Sequence, residues 1–281
     1  MTDLPWGPAL LFCPGDRPER FGTALDRADA VIIDLEDAVE PSRRPLARQA
    51  VLAASETLDP ERVIVRVNQA GTPDHDADLA ALAATPFRTV MLPKAESVDD
   101  LRRLDGVDGA QVIALCETAA GVLAAPALAE APGVIALMWG AEDLVASLGG
   151  TSSRHADGRY RDVARHARSA VLLAAGAAGI GAIDTVHLDI ADLDGLAAEV
   201  EDAVAVGFAA TACIHPGQVE TIRAGFRPSE QAVAWAESLL AAAETAGGVF
   251  RHEGRMVDGP VIAHARAVLR RSGRTGEPTG S

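Results

Sequence analysis

Eight short apolar runs recur along the first 217 residues, and segments rich in Ala and Leu with helical periodicity separate them. Each run is apolar almost throughout, which is typical of parallel strands that are covered on both faces. Eight successive strand-then-helix units predict an α/β fold of the (β/α)8 TIM-barrel class. The runs occupy residues 8–15, 30–37, 62–68, 89–94, 111–118, 133–143, 182–189 and 211–217.

The residues after the eighth run form a predicted C-terminal helical extension. We assign residues 1–217 to the barrel and 218–281 to the extension, with helices near 229–246 and 260–271. A segment of this length is too short for a core of its own, so we expect it to pack on the barrel or on a neighbouring protomer. The residues from about 272 onward are predicted to form a disordered tail.

The charge balance argues against nucleic-acid and membrane binding. The chain carries 40 acidic and 25 basic side chains, a formal net charge of −15 at pH 7, and such a field repels phosphate backbones and anionic lipid surfaces. No uncharged apolar run reaches the length of about 18 residues that a transmembrane helix needs. The first residues also lack the pattern of a secretory signal, so we expect a cytoplasmic protein.

The three cysteines are predicted to be structural. Cys13, Cys116 and Cys213 each lie within an apolar run, and no pair has C-x-x-C spacing. Their odd number and wide separation exclude a disulfide scaffold. In such surroundings a cysteine usually behaves as a small buried hydrophobic residue, so we do not expect a thiol nucleophile.

Polar side chains gather at the C-terminal ends of the apolar runs, and the N-terminal ends carry no comparable set. Strands can simply stop where polar residues begin, but that does not explain the asymmetry. Barrel enzymes build their sites at the C-terminal ends of the strands, so a shared site is predicted there. The side chains are those of Asp34, Glu36, Asp37, Arg66, Asn68, Lys94, Glu117, Glu142, Asp143, His187, Asp189 and His215.

Glu117 and Asp143 end the fifth and sixth runs, so they should lie on adjacent strands. Two carboxylates without a cluster of His or Cys favour Mg²⁺ or Mn²⁺ over zinc. The alternative is that both are structural acids or helix N-caps. Glu36 and Asp37 end the second run and could orient water bound to the metal or pair with arginines.

Three basic residues near these strand ends have two interpretations each. Arg66 interrupts an apolar strand, where it would bind a substrate carboxylate or pair with Glu36 or Asp37. Lys94, the one lysine of the sequence, could form an imine with a carbonyl substrate, or pair with a carboxylate or phosphate. Arg17 follows the first run and could contact an anionic ligand or pair with neighbouring acids.

Nine segments, taken together and in order, resemble the citrate lyase beta-subunit-like proteins of the HpcH/HpaI family of metal-dependent aldolases. They span roughly residues 10–265, nearly the whole chain. The fold of that family is the (β/α)8 barrel, in agreement with the strand count. The segments are LLFCPGDRPERF, VIIDLEDAV, VIVRVN, TVMLPKAES, ALCETAAG, MWGAEDLVASLGGTSSR, VHLDI, CIHPGQ and MVDGPVI.

The resemblance implies a set of site residues. It places Mg²⁺, or alternatively Mn²⁺, on Glu117 and Asp143, and the carboxylate of a 2-oxo acid on Arg66. Gly140 and Ala141 join Arg66 and Glu117 in contacting substrate. The residues that correspond to coenzyme A contacts are Phe12, Arg17, Lys94, Leu188 and Asp189.

The resemblance also implies that Asp258 is the catalytic acid/base and that a neighbouring protomer of a homotrimer delivers it. Nothing in the spacing or periodicity of the residues alone singles out Asp258, which could instead be the cap of the helix that follows. The implied reaction is reversible cleavage of citramalyl-, malyl- or citryl-CoA into acetyl-CoA and pyruvate, glyoxylate or oxaloacetate. The alternatives are a citrate lyase beta subunit, which acts on citryl-acyl-carrier protein with partner subunits, and a non-catalytic barrel that binds a 2-oxo acid or acyl-CoA.

Overall fold

The computed structural model describes residues 4–246 and 248–273. The chain divides into two compact units, Met1–Arg223 and Ala224–Ser281. Among the described residues of the first unit, eight parallel strands pair in chain order, and β8 pairs with β1 to close a barrel. The predicted (β/α)8 fold is confirmed. The strands are β1 (Ala9–Pro14), β2 (Ala30–Asp34), β3 (Val63–Arg66), β4 (Thr89–Leu92), β5 (Gln111–Cys116), β6 (Val134–Trp139), β7 (Gly181–Asp184) and β8 (Ala210–Cys213).

Helices follow the strands of the barrel as the sequence predicts. Thr72, Ser97 and Thr118 cap three of them by accepting a hydrogen bond from a backbone N–H in the first turn. The helices of the chain are α1 (Phe21–Arg27), α2 (Arg44–Ala54), α3 (Pro73–Leu82), α4 (Val98–Arg102), α5 (Ala119–Ala129), α6 (Ala141–Ser147), α7 (Asp162–Ala178), α8 (Leu193–Val206), α9 (Val219–Phe226), α10 (Glu230–Thr245) and α11 (Gly259–Arg271).

The interior of the barrel is a packed apolar core. Alternate residues of each strand point inward, and the helices that follow the strands in the first unit cover the outer face, so strands such as β2 are buried along their whole length. This packing accounts for the apolar runs and fixes the frame on which the strand ends stand. The core cluster contains Leu10, Ala30, Ile32, Ile64, Met91, Ile113, Leu115, Ala136, Met138, Ile183, Ala210 and Ala212.

Two strand ends differ from the sequence prediction. β6 stops at Trp139, and Asp143 lies in the first turn of α6, where a carboxylate is favoured by the helix dipole. β7 stops at Asp184, so His187 and Asp189 belong to the loop before α8 rather than to a strand. In both cases the loop or helix begins inside what the sequence presents as one run.

The cysteines are free and buried, as predicted. Burial raises the pKa of the Cys13 thiol to about 11 and that of Cys116 to about 12. A thiol with so high a pKa is protonated at neutral pH and is a poor nucleophile. Cysteine chemistry is therefore not the function of these positions.

The second unit contains α10, α11 and the antiparallel strands β9 (Phe250–His252) and β10 (Arg255–Val257). These elements bury an apolar cluster among themselves, because the two helices and the hairpin together present enough apolar surface. The length of the segment had predicted no core of its own. The cluster contains Val233, Ala236, Leu239, Val257, Ala265, Val268 and Leu269. The predicted tail falls mostly on residues 274–281, outside the described part of the chain. None of the described helices has the length and apolar character needed to cross a membrane.

Candidate active site

Arg66 and Asp34 form the base of the candidate site. They are register partners at the ends of the neighbouring strands β3 and β2. Arg66 Nε donates to Asp34 Oδ1 at 2.7 Å and Nη2 donates to Oδ2 at 2.6 Å. The same carboxylate accepts the backbone N–H groups of Glu36 and Ala38 at 2.9 and 3.0 Å. Asp34, which is 1% exposed, therefore fixes both the guanidinium and the loop that follows β2.

Glu36 and Phe12 complete the surroundings of Arg66. Glu36 Oε2 lies 3.1 Å from Arg66 Nη1 as an ion pair, although no well-directed hydrogen bond reaches that oxygen. The guanidinium carbon lies 5.0 Å from the centre of the Phe12 ring. Burial disfavours the charged guanidinium, but Asp34, Glu36 and Glu117 together raise the pKa of Arg66 above its ordinary value. Of the two ion-pair partners suggested by the sequence, Glu36 contacts Arg66, and the partner that the sequence did not suggest is Asp34.

Lys94 follows β4 and extends into a group of carboxylates. Its ammonium nitrogen lies 2.5 Å from Glu36 Oε1, 3.4 Å from Asp37 Oδ2, 3.6 Å from Asp143 Oδ1 and 3.9 Å from Glu117 Oε1. Burial opposes the charge, but the hydrogen bond that Lys94 donates to Glu36 and the negative charge of the neighbouring carboxylates raise the pKa of Lys94. The amine is therefore held as an ammonium ion, and the geometry favours ion pairing over imine formation.

Glu117 and Asp143 carry the oxygen atoms that face Lys94. Glu117 directly follows β5 and is 2% exposed, whereas the Asp143 side chain is 37% exposed. Burial, and next to it the negative charge of Asp143, raise the pKa of Glu117 to about 8. A buried carboxylate beside a second carboxylate is costly unless a cation joins them.

This pair of carboxylates fits a hard divalent cation. Carboxylate oxygen is the ligand type that Mg²⁺ and Mn²⁺ prefer. Within the described part of the chain no group of three or more His, Cys, Asp or Glu side chains is arranged to hold a metal ion. A cation here would thus be bound by two protein carboxylates and would take its remaining ligands from water or substrate.

Gly140 leaves the space that Glu117 occupies. A Cβ atom at Gly140 would lie 2.8 Å from both Cβ and Oε2 of Glu117, closer than atoms pack in proteins. Gly140 also precedes α6 as its N-cap residue, and Ala141 is the first residue of that helix, buried beside it. The two positions suggested by the sequence therefore border Glu117 and the helix that carries Asp143.

We expect Gly140→Ala to lower the free energy of unfolding by about 1–3 kcal/mol, because the added methyl group overlaps a buried side chain. The backbone of Gly140 has φ −127°, which alanine adopts freely, so the effect would come from the contact with Glu117. Urea denaturation measures it. Gly176→Ala is the matched control, since its Cβ meets nothing within 4 Å in α7 and should stabilise the helix by about 0.5–1 kcal/mol. Equal stability of the two variants would contradict the packing described here.

The remaining candidate residues are exposed loop residues of the first unit or belong to the second unit. Leu188 and Asp189 are exposed in the loop between β7 and α8. Arg17 is exposed and lies 3.8 Å from Asp16. Asp258 belongs to the second unit, where it caps α11 by accepting a hydrogen bond from the Val261 N–H at 3.4 Å.

Sequence reasoning did not identify a second polar network, which surrounds the loop between α6 and α7. Arg154 stacks on Tyr160, pairs with Glu199, and is linked through that residue to His187, whose Nδ1 lies 2.9 Å from Glu199 Oε2. Ser153 donates to Glu142 at 2.5 Å, next to Asp143 in α6. The only signal in the sequence was the polar loop after α6, and it did not indicate which residues pair.

Comparison with known proteins identifies the same family that the sequence motifs resemble. Residues 9–216 match the model of the HpcH/HpaI aldolase/citrate lyase family. A citrate lyase subunit beta-like protein of Mycobacterium tuberculosis is 54% identical over 95% of this chain and 96% of the relative. The human mitochondrial citramalyl-CoA lyase is 30% identical over 92% of this chain and 83% of the relative.

Solved structures resemble the chain over most of its length. CitE of M. tuberculosis in complex with magnesium, acetoacetate and coenzyme A matches with a TM-score of 0.90 and 53% identity, covering 96% of this chain and 99% of that chain. A second M. tuberculosis structure, a citrate lyase beta subunit with oxaloacetate and magnesium, matches with a TM-score of 0.77 and 54% identity over 81% of this chain and 100% of that chain. The chain belongs to the HpcH/HpaI aldolase/citrate lyase family, a family of lyases.

Proposed function

We propose that this chain is a Mg²⁺-dependent carbon–carbon lyase that cleaves or forms a 3-hydroxyacyl-CoA thioester, namely citramalyl-, malyl- or citryl-CoA. The products of cleavage would be acetyl-CoA and the corresponding 2-oxo acid. The observation that carries the proposal is the arrangement of Arg66 at the end of β3, Glu117 directly after β5 and Asp143 in the first turn of α6, linked through Glu36 and Lys94. The ligands in the names of the M. tuberculosis structures, magnesium with acetoacetate and coenzyme A or with oxaloacetate, support it.

Glu117 and Asp143 would hold the divalent ion. When bound, Mg²⁺ would polarise the substrate hydroxyl oxygen that becomes the carbonyl oxygen of the 2-oxo acid. Glu36 and Asp37 pair with Lys94, whose ammonium group also lies near Glu117 and Asp143. The carboxylates of Glu36 and Asp37 would orient the water molecules bound to the metal. Mn²⁺ has the same preference for oxygen and would substitute.

Arg66 would bind the carboxylate of the 2-oxo acid. Asp34 occupies the edge of the guanidinium formed by Nε and Nη2, which leaves the end formed by Nη1 and the second hydrogen of Nη2. Glu36 Oε2 lies 3.1 Å from Nη1, so the substrate would share this end with Glu36. Charged hydrogen bonds of this kind hold the substrate and disperse negative charge as the carbon–carbon bond breaks.

Asp258 would move the proton at carbon. In the cleavage direction its carboxylate would accept the proton of the substrate hydroxyl as the carbon–carbon bond breaks and return that proton to the enolate carbon of the acetyl thioester. In the condensation direction it would take a proton from that carbon and deliver it to the new hydroxyl oxygen. We further propose that a homotrimer brings Asp258 of one protomer to the barrel of another. Phe12, Arg17, Lys94, Leu188 and Asp189 are proposed to contact coenzyme A, for which the support is their position in the motifs shared with the family.

The test is the release of acetyl-CoA from citramalyl-, malyl- and citryl-CoA by the purified chain, with Mg²⁺ and with EDTA. We expect turnover of at least one thioester, dependent on the metal. Asp258→Asn should lower the rate by about 10²–10⁴-fold, as expected for loss of a general acid/base, while keeping the helix cap. Asp59→Asn is the control, since Asp59 also caps a short helix, the 3₁₀ helix Pro60–Arg62 before β3.

Other outcomes would favour other functions. Turnover of citryl-acyl-carrier protein only with partner subunits would identify a citrate lyase beta subunit, in line with the names of several relatives. Binding of a 2-oxo acid with Mg²⁺ but no turnover of any thioester would identify a non-catalytic binding barrel.

A further inference from the structure

Lys94 is the only lysine of the chain, and both its backbone and its side chain reach the carboxylates of the site. We propose that Lys94 is the internal counter-ion of Glu117 and Asp143: it keeps the two carboxylates close together when no metal is bound and lowers their affinity for a divalent cation. This inference rests on the proposed function in one respect, the assignment of Glu117 and Asp143 as the metal ligands.

The side-chain contacts of Lys94 are of two kinds. The ammonium nitrogen is hydrogen-bonded to Glu36 at 2.5 Å and to Asp37 at 3.4 Å. Its distances to Asp143 and Glu117, 3.6 and 3.9 Å, are ion-pair distances rather than hydrogen bonds. The ammonium is therefore anchored on Glu36, and it can withdraw from Glu117 and Asp143 without losing that anchor.

The backbone of Lys94 is held in the left-handed region, with φ +49°. This conformation is unfavourable for a non-glycine residue. In it the Lys94 N–H donates to Glu117 Oε1 at 3.1 Å, while the side chain of the same residue reaches Glu36. Glu117 is thus positioned by the Lys94 amide on one oxygen, and it is confined by Gly140 at the other.

The balance of charge determines the direction of the effect. Two cations, Arg66 and Lys94, face five carboxylates in this part of the barrel. A divalent cation bound by Glu117 and Asp143 would have to approach within a few ångströms of the Lys94 ammonium, and like charges at that separation repel strongly in a partly buried site. Removing the ammonium should therefore strengthen binding of a divalent cation.

The first experiment measures Mn²⁺ binding by electron paramagnetic resonance of the free ion. Lys94→Met keeps the length of the side chain and removes its charge, and we expect the Mn²⁺ dissociation constant to fall at least about tenfold. Lys94→Arg should stay close to wild type because the charge remains. Arg102→Met is the control for loss of a surface charge, since Arg102 is paired with Asp99 on an exposed helix. Unchanged or weaker Mn²⁺ binding by folded Lys94→Met would overturn the inference.

The second experiment uses the wild-type chain, so it remains decisive if Lys94→Met does not fold. Because the chain has one lysine, ¹⁵N-lysine labelling gives a single backbone amide signal and a single ammonium signal in NMR spectra. We expect both signals to shift on addition of Mg²⁺ and to saturate at one equivalent, whereas NaCl of equal ionic strength leaves them in place. Signals that do not respond to saturating Mg²⁺ would show that Lys94 does not share the metal site.

The two proposals fail separately. If Lys94→Met binds Mn²⁺ more tightly and no CoA thioester is turned over, the counter-ion role stands and the proposed lyase function falls. If thioesters are turned over and Lys94→Met binds Mn²⁺ with the same affinity as the wild type, the lyase function stands and the counter-ion role falls. A wild-type chain that binds no Mn²⁺ would overturn the counter-ion role whatever its turnover.

Discussion

Arg66→Met is expected to lower the free energy of unfolding by about 3 kcal/mol or more, because it leaves Asp34 buried without its charged partner. Asp34 would keep two backbone hydrogen bonds, which places the cost at the lower end of the range for broken buried ion pairs. The same substitution should reduce lyase turnover by about 10³-fold or more, since the substrate carboxylate and the developing charge lose their guanidinium. Urea denaturation and acetyl-CoA release measure the two effects.

A double variant separates the structural effect from the chemical one. In Asp34→Asn/Arg66→Met the buried charge is gone, so we expect at least half of the lost stability to return. Turnover should not return, because Arg66 is still missing. The control is Arg223→Met, in which an arginine with two hydrogen bonds to Asp29 is removed from a more exposed position, at a cost of about 1 kcal/mol or less. If the double variant regained activity, Arg66 would act only through the fold.

Glu117→Gln should have opposite effects on stability and function. In EDTA we expect the free energy of unfolding to rise by about 1–2 kcal/mol, the size of gain common when a strained functional group is neutralised. Here the neutralised group is a buried carboxylate beside Asp143. In Mg²⁺ the wild type gains stability from the bound ion and the variant does not, so the order of stabilities should reverse as the Mg²⁺ concentration rises.

Metal binding and turnover should report the loss of the ligand directly. Even groups outside the coordination sphere change metal affinity by about 10–100-fold, so loss of Glu117 should weaken Mn²⁺ binding by at least about a hundredfold and abolish detectable turnover. The control is Glu96→Gln. Glu96 is exposed, and its carboxylate accepts a hydrogen bond from the hydroxyl of Thr118, the residue that caps α5. Mn²⁺ binding that survived in Glu117→Gln would exclude Glu117 as a ligand.

Much of this site was predictable because a parallel barrel brings the ends of its strands together. A charged residue that ends a strand, as Arg66 does, or directly follows one, as Glu117 does, is held at the mouth of the barrel by the strand itself. Asp143 was assigned to the site through the wrong element, since the helix that carries it begins within the same apolar run. The periodicity of a short run does not distinguish the last residues of a strand from the first turn of a helix.

Other parts of the site depend on three-dimensional pairing that a single sequence does not specify. Asp34 looked like one of three similar acids, and only the register of β2 against β3 makes it the partner of Arg66. The left-handed backbone of Lys94 has no signal in the residue type, because lysine rarely adopts it. The overlap with Glu117 that a side chain at position 140 would cause likewise has no signal in the sequence.

The register of β2 against β3 has a consequence for the dynamics of the site. Asp34 and Arg66 are paired residues of adjacent hydrogen-bonded strands within a sheet that has no free edge. Their separation is thus set by the ladder of the barrel rather than by the packing of loops, and local fluctuations of the loops do not part them. Native-state opening that separates this pair has to open the barrel as well, so the anion-binding base of the site and the barrel form one cooperative unit.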